Sequence, residues 1–286
     1  MKTIIKLAAL ITTFTAAALG QGALTPLGTP SPTMKSLDQI EPRVVIQTLP
    51  FIISAPGSYV LGRNLSGAEG ITIASSNVTL DLNGFVLTGS AGNNGNGVLV
   101  AGTFERLVVR NGVLRDWGAN GVAAPACIGA VIEKVQVGVD ATVSNAFTAG
   151  ISVGESSQVI ACSVVVTGGQ AGGAGILAAS RSVFRDCIVT GIAGVGMNGG
   201  NGLTVVGCRV SGCLYSGVDC SLGAVIRDCD ASSNGGNGFY VSGKATITGC
   251  AATSNGGGWL LYWRRHRDHE LHCDHEHRKR ILPPTG

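Results

Sequence analysis

This chain is short of charge, of aromatic rings and of long apolar runs. Of its 286 residues only 13% are charged and 5% aromatic, against 45% hydrophobic. A chain with so little charge and so much apolar content is not an ordinary disordered polyelectrolyte. After the first 20 residues no apolar run reaches the roughly 20 residues of a membrane span, so no integral membrane helix is expected. The formal charge of +3 comes from the two ends: residues 21–258 hold 12 basic and 13 acidic groups. That body carries no basic footprint for nucleic acid. What the chain does have is glycine, 44 residues.

Met1–Gly20 reads as a secretory signal. Lys2 and Lys6 supply a basic start, Leu7–Leu19 an apolar and small-residue core, and Ala18-Leu19-Gly20 a small-x-small cleavage site. The expected location is secreted, extracellular or at the cell surface. Residues 21–35 follow as a Pro/Gly-rich linker with little to pack.

The body is a repeat. Cys162, Cys187, Cys208, Cys229 and Cys250 are spaced 25, 21, 21 and 21 residues apart, and twelve residues before each stands a glycine: Gly150, Gly175, Gly196, Gly217 and Gly238. Three residues before each Cys is Val159, Phe184, Val205, Ile226 or Ile247, and two after it Val164, Val189, Val210, Ala231 or Ala252. Period-two alternation around each Cys, with Gly and Asn clusters between, predicts short strands and turns rather than helices. The residue just before each Cys (Ala161, Asp186, Gly207, Asp228, Gly249) is predicted to bend the chain; four of the five tolerate the left-handed backbone that a tight turn needs. Coils of about 21 residues, stacked by parallel pairing at roughly 4.8 Å, make a parallel β-helix. Looser copies continue upstream through Gly70-Ile71, Val78–Gly84, Gly97-Val98 and Gly121-Val122. The expectation is a single all-β domain over 36–258, about eight coils long, with an N-terminal cap at 36–69 and no partner copy.

The stretch Pro32–Arg43, with Leu49-Pro50-Phe51, Pro56-Gly57-Ser58-Tyr59 and Val78-Thr79-Leu80-Asp81-Leu82-Asn83-Gly84, resembles the exported bacterial right-handed parallel β-helix proteins related in fold to pectate lyases. The resemblance covers about 32–258. It implies right-handed coiling and no particular activity, since that fold hosts lyases, hydrolases and adhesins alike.

From Trp259 the repeat breaks off. Residues 259–286 hold all five His. His266, His269, His272, Cys273, His275 and His277 are metal-ligand types, but His269-Glu270-Leu271-His272-Cys273 lacks the second His of a zincin motif. Read one base later, codons for this tail restore a Gly-Phe-Tyr start and the Gly, Asn and Cys registers of Gly238–Asn255. The tail is therefore expected to be frameshifted and disordered, and its His cluster an accident, with no metal site.

For the cysteines, a buried column of free thiols serving as compact hydrophobes is favoured over disulfides. Cys220 is expected to be interior too, and a Cys213–Cys220 bond is not indicated. A β-helix lyase needs clustered carboxylates for calcium plus an Arg or Lys base. The weak candidates are Asp219, Asp228 and Asp230, with Arg209, Arg227 and Asp186 nearby, although turn chemistry alone accounts for Asp186 and Asp228. Among the few aromatics, Trp117 is either a surface platform for sugar or buried beneath a loop. The expected role is structural, or binding of a polysaccharide or cell-surface glycan, with no active site and no cofactor. The alternative is a polysaccharide lyase or glycoside hydrolase acting on acidic glycans, which would use calcium.

Overall fold

The computed structural model describes residues 42–90, 92, 94–140, 147–167, 172–258 and 260–262. Their regular structure is all β, and every strand pairing is parallel. Ten strands, from Phe51–Ile53 to Leu260–Tyr262, stack in chain order as one sheet, called sheet I here. The other seventeen form a continuous sheet with two faces. Sheet II runs from Arg43–Ile46 to Ala245–Thr248 and sheet III from Leu65–Gly67 to Ala251–Thr253. The two faces join because Leu107–Arg115 and Val131–Asp140 pass through the corner unbroken. Each coil gives one strand to each sheet in turn. Parallel strands connected this way wind right-handed, and the chain is a right-handed parallel β-helix.

Nine complete coils are stacked among the described residues, against the expected eight or so. The added one is Phe51–Gly67, assigned above to a cap: its three strands pair directly with the three strands of the next coil. Its alternating apolar residues Ile53, Leu61 and Leu65 point into the same buried interior, which is why it stacks as a coil. Arg43–Ile46 adds in register beneath Gly57–Leu61. At the other end Leu260–Tyr262 pairs with Phe239–Val241, so the backbone ladder runs one strand past the boundary at 258. The cluster from His266 to His277, with Cys273, lies outside the described residues.

The inward rows are the ones the repeat predicts. Val159, Phe184, Val205, Ile226 and Ile247 are register partners and buried, as are Val164, Val189, Val210 and Ala231. All five bend residues have positive φ, between 51° and 65°, Ala161 included. Its neighbours leave Ala161 no choice: its N–H donates to Arg185 O across the ladder (2.9 Å), and strands paired in register lie on both sides. The cysteine column is free and interior, with Cys162, Cys187, Cys208 and Cys229 buried and Cys250 half-buried. Cys127, Cys213 and Cys220 are also free and buried.

A second column accounts for six of the glycines. Gly97, Gly121, Gly150, Gly175, Gly196 and Gly217 are stacked where sheet III turns into sheet I. A Cβ on Gly196 would overlap Val210 Cγ1 and lie 2.6 Å from the carbonyl oxygen of Gly217; one on Gly175 would meet Val189 and lie 2.6 Å from Gly196 O. The backbones of sheet I and the inward side chains of sheet III touch here with no space left for a methyl group.

Candidate functional site

Five of the six candidate residues gather on one corner, between sheets II and III. Arg227 ends a sheet II strand; Arg209 and Asp230 open consecutive sheet III strands as register partners; Asp186 and Asp228 are bend residues two coils apart. Asp219 is elsewhere, on the outer side of sheet I. The carboxylate cluster read from the sequence is therefore split between two faces, because Asp219 and Asp230 belong to different strands of the same coil.

The bend aspartates have a structural task. Asp186 Oδ1 lies over the next coil's bend, 2.5 Å from where a Cβ of Gly207 would be, and Asp228 Oδ1 covers Gly249 in the same way. Each Asp thus occupies the room that the following Gly leaves open, which produces the Asp-Gly-Asp-Gly order along the column. Among the described residues no ion pair joins Arg209 or Arg227 to Asp186, Asp228 or Asp230, and Asp230 Oδ1 is enclosed without a hydrogen-bond partner. No group of three or more His, Cys, Asp or Glu is placed to hold a metal among those residues. Among the described residues this corner has charge of both signs but neither an ion pair between them nor a metal-ligand group.

Asp81, from the Val78–Gly84 stretch, is a well-satisfied carboxylate. It accepts from Asn83 N–H (2.9 Å), Arg110 Nε (3.1 Å) and Asn111 Nδ2 (3.3 Å), tying one coil's turn to the next. One partner on its own coil and two on the next make it a structural pin.

Sheet I has a different character. Asn198, Asp219 and Tyr240 are register partners in three successive strands, each half-buried between two buried neighbours, so all three side chains face outward. Burial pushes the Asp219 carboxyl above its usual range. The Asp219 strand is bordered by Leu214 and Tyr215 before it and Leu222 after it, all three exposed, Tyr215 at 59%. An amide, a carboxyl and a phenol ring sit side by side about 4.8 Å apart, with the exposed ring of Tyr215 close in sequence.

Trp117 is no platform. It is fully buried, and its Nε1 donates to Leu87 O at 3.0 Å. Two tyrosines not singled out from the sequence do reach the surface, Tyr215 exposed and Tyr240 half-buried. Tyr240 was legible: it lies between Phe239 and Val241, both in the inward register, so alternation turns it outward. Tyr215 sits in a loop, where no alternation applies.

Residues 129–269 match the family model described as right handed beta helix region. No curated protein sequence matches the chain. Solved structures resemble it in fold alone. XylC in complex with xylose is 11% identical with a TM-score of 0.37, the match covering 72% of this chain and 36% of that one, so this chain spans little more than a third of its length. The A-module of the Azotobacter vinelandii mannuronan C-5 epimerase AlgE4 is 13% identical with a TM-score of 0.35, over 77% of this chain and 70% of that one. The catalytic domain of a GH87 α-1,3-glucanase in complex with nigerose is 11% identical with a TM-score of 0.35, over 84% and 68%.

Proposed function

We propose that this chain is an exported β-helix that binds glycan without catalysis, on the outer face of sheet I at Asn198, Asp219 and Tyr240. The observation that carries the reading is that register row. An aromatic face stacks on the apolar side of a sugar ring, while the amide and carboxyl beside it hydrogen-bond hydroxyls. A rigid sheet holds all three without any ordering on binding. At the corner between sheets II and III, two of the three aspartates, Asp186 and Asp228, are used in the bends.

The test is titration of the mature protein with neutral and uronate oligosaccharides by calorimetry. Tyr240→Ala and Asp219→Asn are each expected to weaken binding at least tenfold, about 1.4 kcal/mol, at unchanged melting temperature. Binding indifferent to both changes, or absent throughout, would sink the reading. Release of unsaturated product or new reducing ends in the same incubations, with or without calcium, would replace it with the lyase or hydrolase alternative.

The frameshift reading of 259–286 belongs to this proposal, and the spacing of the glycines in the sequence supports it. In the sequence, position 259 stands 21 residues after Gly238, where the repeat would place the next glycine, and it carries Trp. Resequencing the DNA from codon 250 onward is expected to reveal a missing or inserted base near codon 258. An intact frame there overturns that part of the proposal.

A further inference from the structure

We propose that Cys229 and Cys250 form an oxidisable pair that a low-molecular-weight disulfide converts into a covalent clip on the last complete coil. The inference concerns Cys250 as the last cysteine of the column among the described residues and is independent of the glycan reading. It is made for the chain with its present sequence, since a restored frame would stack another coil on Cys250.

The two residues are brought together by the ladder on both sides of them. Arg227 pairs with Thr248 just before, and Asp230 with Ala251 just after. Asp228 N–H donates to Thr248 O (3.0 Å) and Ala251 N–H to Cys229 O (2.9 Å). This holds the two Cα atoms near the roughly 4.8 Å of paired strands, inside the ~4.4–6.8 Å range that a disulfide spans. Cys229 is buried in the column, and Cys250, one coil further on in the same column, is half-buried. Each also contacts the carbonyl two residues back in its own strand, Cys229 at Arg227 O (3.0 Å) and Cys250 at Thr248 O (3.3 Å). Closing the bond asks one thiol to leave its carbonyl and rotate toward the other.

Access distinguishes this pair from the rest of the column. Cys162, Cys187 and Cys208 are sealed between coils at 2% exposure or less, and no dissolved oxidant reaches them. Cys250 is half-buried, and its neighbours Ala251 and Thr253 are exposed. The reaction is ordinary thiol–disulfide exchange. The Cys250 thiolate attacks one sulfur of the oxidant and expels a thiolate. The Cys229 thiolate then attacks the mixed disulfide at the Cys250 sulfur and expels the second. The protein loses two protons and two electrons, and the oxidant leaves as two thiols.

The experiment uses the folded full chain with glutathione disulfide as the probe, followed by alkylation and trypsin. Cleavage after Arg227, Lys244 and Arg264 leaves Cys229 in 228–244 and Cys250 in 245–264, each the only cysteine of its peptide. The expected result is a loss of two hydrogens in the intact mass and one crosslink joining those two peptides. Cys250→Ala abolishes it. Should that variant fail to fold, alkylating the native protein first serves the same end: iodoacetamide labels Cys250 at least tenfold faster than Cys229, and the labelled protein no longer crosslinks. A crosslink between any other pair, a reaction that stops at the glutathione adduct of Cys250, or reaction only in denaturant overturns the proposal.

Discussion

Gly196→Ala is expected to remove about 3 kcal/mol or more of stability, whereas Gly138→Ala raises it by about 0.5 kcal/mol. Both glycines lie in strands, and both substitutions add one methyl group. At Gly196 that methyl overlaps Val210 and meets the Gly217 carbonyl oxygen at 2.6 Å, two groups held by ladders on different sheets. Relief requires the coils to separate, which disturbs the pairing above and below. At Gly138 nothing lies within 4 Å of the added atom and φ is not positive, so the change mainly restricts the unfolded chain. Urea midpoints of the two variants measure the difference directly. Equal midpoints would mean that the column can relax, and that the recurrence of glycine every coil has another cause.

Trp117→Ala is expected to cost about 4 kcal/mol, from the cavity left by a large buried ring and the loss of the donor to Leu87 O. The backbone is shaped to this ring: a Cβ on Gly97 would sit 3.0 Å from Trp117 Cδ1 and Nε1. Trp117→Phe, which keeps a ring but leaves the carbonyl unpaired, should fall between the two at about 2 kcal/mol. Thermal or urea unfolding gives both values. A surface platform would behave in the opposite way, with sugar binding lost and stability unchanged. That outcome would restore the exposed reading of Trp117.

Much of this fold was written along the chain in one dimension. Parallel in-register stacking makes each residue's neighbour the one a single coil away, so a spacing of 21 states a contact as well as a count. That is why the inward rows from Val159 to Ile247, the left-handed bends from Ala161 to Gly249 and the free thiol column could be placed before any coordinates. The number of coils was harder to read because Phe51–Gly67 has its own turn lengths and lacks the Cys mark, although its strands bury the same kinds of side chain. The candidate site was legible only in part. Sequence proximity joined Asp219 to Asp228 and Asp230, but a coil turns a corner between them, and eleven residues are enough to carry a side chain to another face.

By itself the sequence determined a parallel β-helix, its rung spacing and most of what faces inward, because period-two alternation inside a fixed repeat leaves little freedom. Tertiary structure alone decided which outward residues meet. It set Asn198, Asp219 and Tyr240 in one row, laid each bend aspartate over the following glycine, buried Trp117 and left Cys250 at the accessible end of its column. Those outcomes depend on the turning angle at each corner and on where the stack ends, neither of which a repeat pattern contains.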